Sequence, residues 1–188
     1  MDKKAVVIYT SKRGSTKQYA EWIHEELSKI CECDLFAFEE SKKINLYEYD
    51  LIIYGGWIRG SGIVNFDVLR SRLDGELLEK MIVFGAGVAN ETPENYMQVW
   101  SLNIGKIDPK NKHKAILYIL GGRYDPAKVT GFDGMLMKIS KKVMLSGATA
   151  SASEAAMLMK DRIENGCNLV KRENIDALIK DAKKKLNL

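Results

Sequence analysis

Between Tyr9 and Thr16 the chain places four Ser and Thr hydroxyls, on Thr10, Ser11, Ser15 and Thr16, around one glycine, Gly14. An apolar run, Ala5–Tyr9, leads into this stretch, and a helical pattern follows it. A helix N-terminus exposes unpaired N–H groups and a partial positive charge. Hydroxyls feeding that terminus add donors, and a glycine lets the backbone approach a ligand closely. The combination suits a phosphate group and needs no lysine. Ser11, Ser15 and Thr16 can each donate to a phosphate oxygen, at about 1.5–3 kcal/mol per charge-assisted hydrogen bond. A plain N-cap accounts for one hydroxyl, not four. The G-x-x-x-x-G-K-[ST] loop fails here, because Gly14 has no partner glycine at the required spacing and Lys17 follows Thr16. The stretch GAGVAN, Gly85–Asn90, lacks the third glycine of a dinucleotide loop.

Other reactive residues suggest less. Cys31 and Cys33 form C-x-C without a second ligand pair, and the chain has only two histidines. They read as free thiols, so no metal site is expected. An odd total of three cysteines, with no apolar leader in MDKKAVV, fits a reducing, cytoplasmic setting. No G-x-S-x-G elbow marks a hydrolase. His24 falls inside the first helix and His113 just before a strand, and neither has a catalytic partner nearby in sequence.

The elements that must position the hydroxyl loop follow from the hydrophobic pattern. Short apolar runs at Ala5–Tyr9, Cys33–Phe38, Asp50–Tyr54, Met81–Phe84 and Ala115–Leu120 read as strands of a parallel sheet buried on both faces. Helical patterns occupy Ser15–Ile30, Val64–Leu73, Pro93–Leu102, Phe132–Leu145 and Ile175–Leu186. In the first helix Tyr19, Ile23, Leu27 and Ile30 make one apolar stripe. Gly55-Gly56 reads as the end of the third strand and Asp74-Gly75 as a helix stop. The alternation predicts a three-layer, doubly wound α/β fold with a five-stranded parallel sheet, as one domain over residues 1–188. Ligands of such sheets bind beyond the carboxyl ends of the strands. The glycine-rich loops after the strands point to the same end. The net charge of +4 and pI near 8.8 permit anionic partners without calling for nucleic acid. No run approaches the ~18 apolar residues of a membrane span.

The seventeen residues from Val7 to Ile23, VIYTSKRGSTKQYAEWI, resemble the flavodoxin signature. In order they hold two aliphatics, an aromatic, a hydroxyl residue, a small residue, a threonine, then an alanine and an aliphatic on the helix. The resemblance implies strand order 2-1-3-4-5 and flavin mononucleotide (FMN) as cofactor. It places the phosphate on the loop of Thr10, Ser11, Lys12, Arg13, Gly14, Ser15 and Thr16. It places the isoalloxazine ring between Gly56, Trp57, Ile58, Arg59, Gly60 and Ala86, Gly87, Val88, with Trp57 as the stacking aromatic and Tyr124 nearby. The fourth-strand loop departs from the family: no tyrosine follows the strand directly, and Tyr96 comes ten residues late.

The segment AILYILGGRYDPAKVTGFDGMLMKISKKVM resembles the flavodoxin-like, quinone-dependent protoporphyrinogen IX dehydrogenases, through Arg123-Tyr124 and Phe132-Asp133. That resemblance implies oxidation of a porphyrinogen, with electrons passed through FMN to a quinone and Arg59 and Arg123 meeting two propionates. An electron shuttle serving a redox partner protein, and a flavin-binding regulatory module, remain the alternatives. Between Lys106 and Lys142 nine basic residues stand against three acidic ones. The basic amphipathic pattern at residues 132–145 either covers the sheet or rests on an anionic membrane surface. The oligomeric state stays open.

Overall fold

An apolar run buried on both faces must divide its side chains between two cores, because successive residues of a strand point to opposite sides. A computed structural model describes residues 3–89, 92–128 and 154–188 and shows this division. Its strands are β1 (Lys4–Tyr9), β2 (Glu32–Ala37), β3 (Leu51–Arg59), β4 (Gly62–Ile63), β5 (Met81–Gly87) and β6 (Ile116–Gly121). All but β4 are parallel, in the order β2-β1-β3-β5-β6. Counting the parallel strands alone, this is the expected order 2-1-3-4-5. β4 pairs antiparallel with the end of β3.

Ala5, Val7, Leu51, Ile53, Ile82 and Phe84 face one core. They pack on Tyr19, Ile23 and Leu27 of α1 (Ser15–Leu27) and on residues of the C-terminal helix. Val6, Ile8, Ile52, Tyr54, Met81 and Val83 face the other core. There they meet Phe66 and Leu69 of α2 (Phe66–Leu69), Leu77 and Leu78 of α3 (Gly75–Glu79) and Val99 of α4 (Pro93–Leu102). Further along the chain come α5 (Glu154–Asn165) and α6 (Asp176–Leu186). A separate two-stranded ribbon joins β7 (Arg123–Tyr124) to β8 (Cys167–Asn168).

Several boundaries differ from the sequence reading, each for a local reason. β3 does not stop at Gly55-Gly56 but runs on to Arg59. A Cβ on Gly55 would lie 2.0 Å from the Phe84 ring, and one on Gly56 would lie 2.7 Å from Ile63 Cγ2. These glycines therefore admit neighbouring side chains rather than break the strand. The helix expected over Val64–Leu73 is shorter, because Asn65 takes φ 63° and α2 starts only at Phe66. Asp74 is no stop: its carboxylate accepts a hydrogen bond from Leu77 N at 3.0 Å and caps α3. α1 ends at Leu27, so Ile30 leaves its apolar stripe and is 37% exposed. The helix expected at Phe132–Leu145 lies outside the described residues.

Candidate cofactor site

At the carboxyl end of β1 the chain turns into α1 through Gly14, whose φ of 90° lies in the left-handed region that favours glycine. The first intrahelical bond runs from Gln18 N to Gly14 O at 2.9 Å. The N–H groups of Ser15, Thr16 and Lys17 therefore have no partner within the helix. Ser15 and Thr16 are both buried, at 9% and 1% exposure. Ser15 Oγ accepts a hydrogen bond from Arg123 N at 3.1 Å, and Ser11 Oγ accepts one from Gly14 N at 3.2 Å. A hydroxyl that accepts from the backbone keeps its own proton to donate. Both serines therefore keep a proton to donate.

Ser11, Lys12, Arg13, Ser15 and Thr16 line one end of a cleft of about 160 Å³. Its other walls are Trp57, Ile58, Arg59 and Gly60 from the β3–β4 turn, Ala86, Gly87 and Val88 from the end of β5, and Gly122, Arg123 and Tyr124 beyond β6. Thirteen of the sixteen residues expected to hold the cofactor come together here. The other three lie elsewhere. Thr10 and Gly14 line a neighbouring shallow depression with Tyr9, Phe38 and Asn65. The Thr10 hydroxyl belongs to a network in which Tyr54 Oη lies at 3.0 Å and Asn65 Nδ2 donates at 3.3 Å. Burial pushes the Tyr54 phenol up, so it stays protonated, and it donates to Val64 O at 2.6 Å. Gly56 lies buried within β3, against Ile63 and Val64.

Trp57 to Arg59 were expected in a loop. They continue β3, with Trp57 opposite Ala86. Strand alternation separates their roles. Ile58 packs over Gly85 and Gly87, where a Cβ would approach its side chain to 2.7 and 3.3 Å. Trp57, on the opposite pleat, is half-buried. Gly60 turns the hairpin at φ 58°. Tyr96, by contrast, packs against the apolar core and is not among the residues lining the cleft.

Gly122 makes the cleft's back wall. Its N–H bonds Gly87 O, and a Cβ there would sit 3.0 Å from the same oxygen. Leu169 N donates to Gly122 O at 3.0 Å, which ties the strand ends to the β8 segment. Tyr19 Oη donates to Gly121 O at 2.6 Å and accepts from Asn174 Nδ2 at 2.7 Å. Arg162 of α5 donates from Nη1 to Val88 O at 2.7 Å. Gly122 falls in a glycine-rich loop after a strand, where the sequence points to a site, whereas Arg162 and Asn174 carry no signal, since no local pattern shows that a C-terminal residue returns to a strand end. Lys12, Arg13, Arg59 and Arg123 line the cleft, and no carboxylate does so among the described residues.

Of the nine basic residues between Lys106 and Lys142, the six that the structure describes do not make one patch. Lys106, Lys110, Lys112 and Lys114 precede β6, whereas Arg123 and Lys128 follow it. The six residues of β6 separate the two groups by roughly 20 Å. His24 and His113 are engaged away from the cleft, with Cys33 O at 3.0 Å and Glu79 Oε1 at 3.3 Å respectively.

A doubly wound sheet of this strand order, with its cleft at the carboxyl ends of the strands, defines a flavodoxin-like α/β protein. A family model described as a flavodoxin domain matches residues 6–151. The chain belongs to that family. Among solved structures it resembles a flavodoxin from the domain Archaea at 17% identity and TM-score 0.44, covering 86% of this chain and 97% of that one. It also resembles the Trp repressor binding protein from Bacillus subtilis at 13% identity and TM-score 0.44, covering 89% of this chain and 98% of that one. For the rubredoxin:oxygen oxidoreductase from Desulfovibrio gigas the values are 12% identity and TM-score 0.42, covering 98% of this chain and 37% of that one. A comparison with curated proteins gives no match.

Proposed function

We propose that the chain is a redox protein that binds FMN. One observation carries this reading: a single cleft joins hydroxyl donors and a helix N-terminus at one end to Trp57, Ile58, Ala86 and Val88 at the other. A ligand with a doubly charged phosphate and a broad flat ring system matches both ends. Ser11, Ser15, Thr16 and the amide groups of the first turn of α1 would hold the phosphate, with Lys12 and Arg13 adding positive charge. Trp57, Ile58 and the β5 end would hold the ring and keep water from it. FMN supplies electron transfer when bound, and the protein sets its orientation and potential.

Arg59 and Arg123 on the cleft's lining favour an anionic donor or acceptor. A carboxylate-bearing face of a redox partner protein meets that requirement. So does a porphyrinogen carrying two propionates, with a quinone as electron acceptor. Arg123 Nε donates to Asn168 Oδ1 at 3.2 Å, which holds that guanidinium at the edge of the cleft.

Adding FMN to the flavin-free protein tests the reading. Flavin fluorescence should quench to a saturable 1:1 endpoint, with the absorption bands of protein-bound oxidised flavin. Flavin that remains free in solution would contradict it. An anaerobic assay with protoporphyrinogen and a quinone separates the roles. Turnover makes the protein a dehydrogenase, rapid electron exchange with a protein donor alone makes it a shuttle, and neither activity leaves a regulatory module.

A further inference from the structure

Arg162 lies far from the flavin-type loops in sequence, on a helix outside the five-strand pattern. Its half-buried side chain spans from α5 to the end of β5 and donates to Val88 O at 2.7 Å. Val88 lines the cleft beside Ala86 and Gly87. An arginine side chain carries its charge at every accessible pH. The same charge is felt on the neighbouring ribbon: burial raises the Cys167 thiol pKa, and Arg162 opposes that rise. Cys167 pairs with Tyr124, another residue of the cleft. Arg162 therefore fixes a positive charge at the backbone of one wall and orients the Val88 peptide.

We propose that Arg162 is a positioning residue that tunes the cofactor site, holding the Val88 peptide in place and favouring the reduced, more negatively charged form of a bound flavin over the oxidised form. The proposal rests on the FMN reading above. A cation near a ring that gains negative charge on reduction binds the reduced state more tightly, and partial burial weakens screening by solvent. By linkage, the ratio of oxidised to reduced affinities and the midpoint potential are one quantity. The charge supplies the electrostatic part of the effect and the Val88 hydrogen bond supplies the positional part.

The test measures the FMN dissociation constant, the midpoint potential of bound FMN and the melting temperature in the parent protein, Arg162→Met and Arg162→Lys. In Arg162→Met, reduced FMN should lose about tenfold more affinity than oxidised FMN, with the potential moving to more negative values. Arg162→Lys, which keeps the charge and a donor, should recover most of that loss. A melting temperature that falls in Arg162→Met while the affinity ratio stays at the parent value would make Arg162 structural only and overturn the proposal. An equal loss of ratio in Arg162→Lys and Arg162→Met would overturn the charge assignment. If Arg162→Met does not fold, Arg162→Gln takes its place, which removes the charge and keeps a donor. Failure of the parent protein to bind FMN would reject the functional reading itself, whereas parent binding with an unchanged ratio rejects only the role of Arg162.

Discussion

Individual side chains in this protein are set by what the backbone already occupies. Ser15 Oγ takes the Arg123 amide and Ser11 Oγ takes the Gly14 amide, so both hydroxyls keep a proton to donate. Thr10, with the same chemistry one position before Ser11, is drawn instead to Tyr54 and Asn65. The residue type identifies a donor, but only the packed partner says where it points. The cysteines illustrate the same rule. Burial, reinforced by Cys31 and Asp34, pushes the Cys33 thiol up to about 12. In the unfolded chain the thiol ionises near 9.0, so above that pH the folded state holds a proton that the unfolded state has released. Cys33 therefore stabilises the fold fully below pH 9.0, and that contribution is lost as pH rises towards about 12. Urea midpoints should fall between those pH values, and Cys33→Ala should flatten the fall. An identical slope in the variant would contradict the assignment.

At the scale of elements, the strands were legible because burial on both faces leaves an uninterrupted apolar run, as in Leu51–Tyr54 and Met81–Phe84. α4 was legible too, with Pro93 in its first turn and Thr92 accepting from Asn95 N at 3.2 Å as its cap. Glycine was the main source of error. Gly55 and Gly56 read as a strand end but mark close packing within a longer strand. Gly55→Ala should cost ~1–3 kcal/mol in urea unfolding, because the new methyl meets the Phe84 ring at 2.0 Å. Phe84→Leu removes the ring atoms involved and should recover part of that cost. A Gly55→Ala protein as stable as the parent would refute the packing account. β7, β8 and α5 had no sequence signal, because two-residue strands carry no periodicity and their partners are remote.

Over the whole molecule, the C-terminal segment returns to the sheet and completes the site. Arg172 binds Glu25 Oε2 at 3.0 Å and Glu26 Oε1 at 2.6 Å and lies 6.0 Å from the Trp22 ring centroid, while Asn174 donates to Tyr19 Oη and Arg162 reaches the end of β5. These ties span from 74 to 155 positions in the chain, which is why this part of the site's support was invisible to local reading. The fold also sorts charge, with one lysine group before β6 and the arginine-rich lining at the opposite end of the sheet. Electron exchange with an acidic redox partner should slow roughly tenfold between about 20 and about 300 mM salt in stopped-flow measurements. A rate that is constant or rises with salt would exclude electrostatic docking at the cleft. Among the described residues, no helix is long and apolar enough to cross a membrane.

In the proposed function, the loop entering α1 holds the FMN phosphate through hydroxyl and amide protons. Comparing FMN with riboflavin, which lacks only the phosphate, tests it most directly. Two or more charge-assisted hydrogen bonds predict that FMN binds at least ~100-fold more tightly. Ser11→Ala and Thr16→Ala should each shrink that ratio by about tenfold or more while leaving riboflavin affinity unchanged. Equal affinity for the two flavins, or a ratio that neither substitution alters, would contradict the account.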